Sequence, residues 1–237
     1  EPEAVWMGDK LFVGAEKNSN EIEDSIYLSY TYDPVNKTWT SLPELVIPDE
    51  LTPSYDSDID IIWTGSKVIV GWIFSGPDPS LDGWVGYAYD PVSEEWSRLA
   101  EEGGPSFDSI NEGDDFDLFW TGSKLIVGAN QYDPESGEVW QGYGYDPEGD
   151  SWTKFPTMVA SSRSGEGGKV NLVGNKLVVW NINDDPYPDP GDMDMIINGE
   201  VYDTELGILS PIPYGGSPNI SSSSIDTMIV QSTGSEL

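Results

Sequence analysis

Three carboxylates stand at equivalent places in the chain. Glu3, Asp60 and Asp117 each precede a tryptophan by three residues, at Trp6, Trp63 and Trp120. On repeated strands they would point the same way around a shared axis, and Lys169 takes the place in a fourth copy. Converging carboxylates are costly unless a cation, water or a lysine offsets them, so this row reads as a candidate ligand-binding position or as the polar wall of a channel. Two acidic segments follow a common pattern. Pro53-Ser54-Tyr55-Asp56-Ser57-Asp58 matches Pro105-Ser106-Phe107-Asp108-Ser109, and the second runs on to Glu112, Asp114 and Asp115. A third begins at Asn181, passes Asn183, Asp184 and Asp185, and continues to Asp189, Asp192 and Asp194. Clustered carboxylates with Ser hydroxyls and backbone carbonyls suit a hard cation such as Ca²⁺, and the same composition also describes a solvated acidic loop. The third segment lacks the fixed Gly and terminal Glu of the EF-hand loop. Trp84, following Asp82 and Gly83, has the composition of a sugar-binding platform if its indole is exposed beside the acid.

The charge narrows the partners. The 237 residues include 43 acids and 10 bases, a formal net charge of −33. Nucleic acid and anionic membrane surfaces require clustered Lys and Arg, so neither is expected as a partner. Cations, cationic proteins and neutral glycans remain. With no Cys there is no disulfide, and with no His the commonest general base is missing, which leaves carboxylates for acid–base work. Ten Trp, twelve Tyr and six Phe are too many for a solvating tail and must build a core. The acids are expected to coat the surface, as in proteins adapted to saline water. No run of 18 apolar residues is present, so no transmembrane helix is expected. The chain opens at Glu1 with no visible leader and reads as processed or trimmed. Asn36-Lys37-Thr38 and Asn219-Ile220-Ser221 are sequons that also arise by chance.

The elements that position these residues come from an internal repeat. Tyr32-Asp33-Pro34 with Trp39 recurs as Tyr89-Asp90-Pro91 with Trp96 and as Tyr145-Asp146-Pro147 with Trp152. A decayed copy is Tyr202-Asp203-Thr204 with Leu209. The tyrosines lie 57, 56 and 57 residues apart. Trp63-Thr64-Gly65-Ser66-Lys67 keeps the same beat with Trp120-Thr121-Gly122-Ser123-Lys124, Trp6-Met7-Gly8-Asp9-Lys10 and Leu172-Val173-Gly174-Asn175-Lys176. Ser232-Thr233-Gly234-Ser235-Glu236 reads as the opening of a fifth copy. Each repeat predicts four short strands. The first ends on the Trp before a tight Gly turn, and the second is apolar and β-branched. The third ends at Asp-Pro, where Pro has no N–H for the ladder, and the fourth carries the second Trp. No amphipathic helix is predicted.

Four-stranded units in radial repetition predict an all-β β-propeller. One domain is expected over 1–237, with blades near 3–46, 57–103, 114–158 and 168–212 and a partial blade over 224–237. Strand one lies innermost. The Tyr-Asp-Pro…Trp pairs, the apolar second strand and the Trp-x-Gly-x-Lys turn resemble the Kelch repeat. That family ends strand two with two glycines, where this chain has Gly14-Ala15, Gly71-Trp72, Gly128-Ala129 and Trp180-Asn181. Four full blades and part of a fifth suggest a fragment of a longer ring, a C-terminal strand packed against the first blade, or a ring shared between chains. The strand two-to-three and four-to-one loops are expected to be long and to share one face, while Trp39, Trp96, Trp152, Trp6, Trp63 and Trp120 are expected in the core.

The resemblance implies a recognition scaffold. The first expectation is therefore a non-catalytic binding module, secreted or on the cell surface, recognising a protein or polysaccharide, with Ca²⁺ as a candidate cofactor. A structural subunit of a surface assembly is a second reading. A carboxylate-based glycosidase is a third, since two acids suffice and Asp56, Asp108 or Asp117 could serve. Copper oxidation on such a scaffold needs His ligands, and sialidase chemistry needs several Arg where the chain has only Arg98 and Arg163.

Overall fold

The computed structural model describes residues 2–17, 25–48, 51, 59–74, 83–107, 116–159, 169–184 and 195–212. They form four antiparallel sheets, one per repeat. Sheet one orders β1 (Glu3–Trp6), β2 (Leu11–Lys17), β3 (Ser25–Asp33) and β4 (Thr38–Ser41), with β5 (Leu45–Ile47) added beside β3. Sheet two is β6 (Ile59–Trp63), β7 (Val68–Phe74), β8 (Gly83–Asp90) and β9 (Glu95–Arg98). Sheet three is β10 (Phe116–Trp120), β11 (Leu125–Asp133), β12 (Gly137–Asp146) and β13 (Ser151–Lys154), with β14 (Met158–Val159) beside β12. Sheet four is β15 (Lys169–Val173), β16 (Lys176–Asp184), β17 (Met195–Asp203) and β18 (Ile208–Pro211). Each sheet is the up-and-down blade of a β-propeller, as the repeat predicts.

The turns are made by the residues that repeat. In the first hairpin of blade two, Lys67 N–H donates to Thr64 Oγ1 at 2.9 Å and Gly65 takes φ 93°. Thr121 and Gly122 repeat the arrangement at 2.9 Å and φ 100°. An L side chain rarely adopts that φ, which is why glycine recurs there. At the outer turn the repeated aspartate closes the chain with its own carboxylate. Asp33 Oδ1 accepts from Val35 N–H at 2.8 Å and Asn36 N–H at 3.0 Å, and Asp90, Asp146 and Asp203 each accept from the N–H groups two and three residues on. The fourth residue after each aspartate is left-handed, at Lys37, Glu94, Asp150 and Gly207. The proline breaks the ladder and the aspartate supplies the replacement bonds.

Two compact units divide the chain. The first comprises Glu1–Gln131 with Gln141–Phe155, and the second Tyr132–Trp140 with Pro156–Leu237, where the repeat predicts one domain. Within the first unit the inner strands β1, β6 and β10 lie side by side. Sheet two is buried on both faces. Val68, Val70 and Trp72 pack with Phe12, Tyr27 and Ile47 of sheet one, while Ile69, Ile73 and Trp84 pack with Phe116, Leu125 and Val127 of sheet three. A strand covered on both faces needs an unbroken apolar run, and that is the sequence of β7. The indole N–H groups of Trp96 and Trp152 latch one blade to the previous one. They donate to Pro43 O at 2.9 Å and Ala100 O at 2.7 Å, each acceptor four residues past its own blade's strand-four Trp. In the second unit Leu177, Val179 and Tyr202 are buried, and Trp180 Nε1–H donates to Asn171 Oδ1 at 2.8 Å.

Three expectations need correction. Trp39 is 59% and Trp6 50% exposed, because within the first unit no sheet covers the face of sheet one that carries them, whereas sheet one itself covers the equivalent face of sheet two. The strand two-to-three loop of blade three is short: Asp133 Oδ1 accepts from Glu135 N–H at 2.9 Å and Ser136 N–H at 2.7 Å, and Gly137 at φ 80° starts β12. The strands β5 and β14 were not expected; each extends its sheet past strand four.

Candidate functional site

The inner strands carry the most regular set of chemical groups in the first unit. Glu3 pairs across the ladder with Gly14, Asp60 with Gly71 and Asp117 with Gly128, so each carboxylate meets a residue with no side chain. Directly opposed residues of an antiparallel pair share one face of the sheet. The three carboxylates are half-buried and sit on three neighbouring strands. The three positions thus lie at equivalent register on adjacent strands. Lys169, the fourth member, pairs with Trp180 in the second unit.

Gly14 and Gly71 each make room for an aromatic ring from strand three. A Cβ at Gly14 would meet Tyr27 Oη at 1.9 Å, and one at Gly71 would meet Trp84 Cζ2 at 2.2 Å. Gly86, opposite Gly71, lies under the same indole, where a Cβ would meet Cη2 at 2.2 Å. Tyr27 and Trp84 are equivalents, each five residues before the repeat's tyrosine, and Trp140 is the third. The rings of Tyr27 and Trp84 also receive the next blade's latch tryptophan. Trp96 meets Tyr27 edge-on at 6.2 Å, and Trp152 meets Trp84 edge-on at 5.6 Å. Tyr27 Oη and Trp84 Nε1 are buried with no hydrogen-bond partner among the described residues. Burial, and then the charge of Glu3, hold the Tyr27 phenol well above its ordinary range, so it remains a neutral donor. Unpaired buried donors are rare and call for an acceptor. Sequence reasoning did not single out Tyr27; its signal is the five-residue spacing to Tyr32 combined with the glycine across the sheet.

The other predicted residues are placed as follows. Trp84 is 7% exposed and packs against Phe116 and Trp152, so it is an inter-blade core residue and not an exposed platform. It also lines a cavity of about 260 Å³ with Arg98, Ser106 and Trp152. Arg98 itself is ion-paired with Glu101. Asp82, Asp56, Asp58, Asp108, Asp114, Asp115, Asp185, Asp189 and Asp192 lie outside the described residues. Asn183 and Asp184 are in β16, paired with Ile196 and Met195, and their side chains also lie outside the description. Among the described residues no three acids converge closely enough to hold a metal ion.

No family model matches the chain, and no curated protein is similar to it in sequence. Solved structures resemble it at low identity. The β-propeller domain of the Trilobed protease from Pyrococcus furiosus is 10% identical, with a TM-score of 0.47 over 87% of this chain and 54% of that one. A polysaccharide lyase is 15% identical, with a TM-score of 0.48 over 93% and 50%. A thermostable family-43 glycoside hydrolase is 16% identical, with a TM-score of 0.43 over 94% and 77%. The chain spans 54%, 32% and 50% of the first three similar structures. The expectation of a non-catalytic binding module is corrected by these neighbours, which are mostly carbohydrate-active enzymes: glycoside hydrolases and a polysaccharide lyase.

Proposed function

We propose that the chain is the propeller of a carboxylate-based glycosidase, with Glu3, Asp60 and Asp117 supplying its acid and base. The observation that carries this reading is the row itself: three carboxylates on adjacent inner strands, each facing a glycine. Glycoside hydrolysis needs one carboxylic acid to protonate the leaving oxygen and a second carboxylate to attack the sugar or activate water. Asp60 stands between the other two and can work with either. Tyr27 and Trp84 line the glycine positions beneath Glu3 and Asp60, which keeps the acids on a rigid floor. A neutral glycan is the substrate class that suits a chain of −33 charge. Secretion or display at the surface, where such a chain would meet neutral polysaccharides, is part of this reading. The acidic segments that precede β6 and β10 in sequence are the candidates for Ca²⁺.

The test is release of reducing ends from a panel of neutral polysaccharides, by the wild-type chain and by Glu3→Gln, Asp60→Asn and Asp117→Asn. Turnover should fall on the order of 10²–10⁴-fold in the two variants that remove the acid and the base. The product anomer, read by NMR, separates an attacking carboxylate from one that activates water. An inactive wild-type chain, or activity untouched by all three changes, would sink the proposal.

A further inference from the structure

Blade one departs from the repeat at three neighbouring positions. It carries Glu16, Tyr27 and Ser29 where blade two carries Ile73, Trp84 and Gly86, and where blade four carries Ile182, Ile197 and Gly199. Blade three has an amide, Asn130, at the first position and Trp140 and Gly142 at the others. Only blade one therefore places a side-chain oxygen at all three. The ladder sets Glu16 opposite Tyr27 and Gly14 opposite Ser29, with Glu3 opposite Gly14 on its other side. These residues share one face of sheet one, the face that packs against sheet two within the first unit.

Glu16 Oε1, Tyr27 Oη and Ser29 Oγ are each buried with no hydrogen-bond partner among the described residues. Tyr27 is 0% and Ser29 2% exposed. The Tyr27 hydroxyl lies 1.9 Å from where a Cβ of Gly14 would stand, so it sits over β2 with Glu3 on one side and Ser29 on the other. Buried polar groups without partners are rare, and three on one face point to a ligand they hold in common. A buried carboxylate oxygen is the costliest of the three to leave unpaired, and two carboxylates on one face repel each other unless a cation offsets them. We propose that blade one binds a Ca²⁺ ion here, held by the carboxylates of Glu3 and Glu16 and by Ser29 Oγ, with the Tyr27 hydroxyl donating to one of the two carboxylates. Two carboxylates balance the charge of the ion, and Ca²⁺ accepts the mixed oxygen set and irregular geometry that such a face offers. The site is separate from the acidic segments before β6 and β10, and it stands whether or not the chain hydrolyses glycans.

Calorimetric titration with CaCl₂ at constant ionic strength in NaCl, paired with thermal melts, tests it. The wild-type chain should bind Ca²⁺ and melt higher in its presence. MgCl₂ at matched ionic strength should not reproduce the effect, because Mg²⁺ demands a tighter octahedral shell. Glu16→Gln keeps the shape and removes the charge, and should lose a binding event that Asp108→Asn with Asp114→Asn retains. Tyr27→Phe keeps the ring and removes only the hydroxyl, and should weaken the same event about 10–100-fold. If Glu16→Gln does not fold, Glu16→Ile with Ser29→Gly takes its place, since blade two already folds with isoleucine and glycine at those positions. A wild-type chain that binds no Ca²⁺ overturns the proposal. So does a titration unchanged by Glu16→Gln and Tyr27→Phe, or an equal response to MgCl₂.

Discussion

Lys176 Nζ lies 2.7 Å from Asp203 Oδ2 and joins the two motifs that repeat along this chain. The lysine ends the first hairpin turn of the blade and the aspartate opens the outer turn; the ladder sets them opposite each other. Lys67 and Asp90 repeat the contact at 3.6 Å in blade two. The Lys176 contact, with the N–H groups of Leu206 and Glu205, holds the Asp203 carboxyl below its ordinary range. Its folded pKa is depressed, so its contribution is present above the unfolded carboxylate value of about 4 and is lost as pH falls through the folded value. The difference in thermal midpoint between wild type and Asp203→Asn should be largest near neutrality and shrink to nothing in acid. A difference that stays constant to low pH would show that the charge of Asp203 contributes nothing.

The latch tryptophans give a second prediction. Trp152→Phe keeps a ring between the blades but removes the N–H that Ala100 O accepts at 2.7 Å. Ala100 is half-buried, so leaving its carbonyl without the indole should cost about 1 kcal/mol, the low end of the penalty for an unpaired buried acceptor. Trp96→Phe should cost less, because Pro43 is exposed and water can replace the indole at its carbonyl. Trp39→Phe should stay within about 0.5 kcal/mol, since an exposed ring with no such acceptor among the described residues loses little. Urea unfolding of the three variants checks the order. Equal losses in all three would mean that the rings act by area alone.

Much of this architecture is legible because the chain repeats itself. The spacing of Tyr32, Tyr89, Tyr145 and Tyr202 marks four blades, and Asp-Pro marks the outer turns. The carboxylate row is legible for the same reason, since equal offsets from Trp6, Trp63 and Trp120 place Glu3, Asp60 and Asp117 at equal heights. Local sequence does not reveal which face of each blade is covered. Trp39 and Trp96 occupy the same place in the repeat, and their different exposures depend on whether another sheet lies alongside. Trp84 misleads for a related reason. Beside Asp82 and Gly83 it reads as an exposed platform, and only the cross-strand glycines at Gly71 and Gly86 show that its ring lies flat in a slot. The short turn at Asp133 carries its signal in Tyr132-Asp133-Pro134, a further copy of the outer-turn motif within a hairpin expected to be long.

The glycine slot can be tested by separating space from backbone strain. Gly71→Ala places a Cβ against Trp84, and overpacking of this kind costs about 1–3 kcal/mol. Gly65 has open space around it but sits at φ 93°, so Gly65→Ala is destabilising through its backbone. Combining Gly71→Ala with Trp84→Leu should recover part of the loss, because the leucine vacates the slot. The same leucine should do nothing for Gly65→Ala. A double-mutant cycle by urea unfolding reads the coupling. Additive losses for Gly71 and Trp84 would refute the slot.

Net charge gives the last prediction. At −33 the folded chain repels itself, and the repulsion extends over the Debye length. That length shrinks from about 30 Å at 0.01 M salt to about 10 Å at 0.1 M, so NaCl should raise the thermal midpoint over this range. A flat or falling midpoint would show that the acids do not strain the fold. CaCl₂ at matched ionic strength then separates screening from binding. A cation held only by the native state adds stability of RT ln(1 + [L]/Kd) beyond screening, and so lifts the midpoint further. An added rise, abolished by Asp108→Asn with Asp114→Asn, would place Ca²⁺ on the loop leading to β10. Equal midpoints in the two salts would make that loop a solvated surface and leave the inner carboxylates to act without a neighbouring cation.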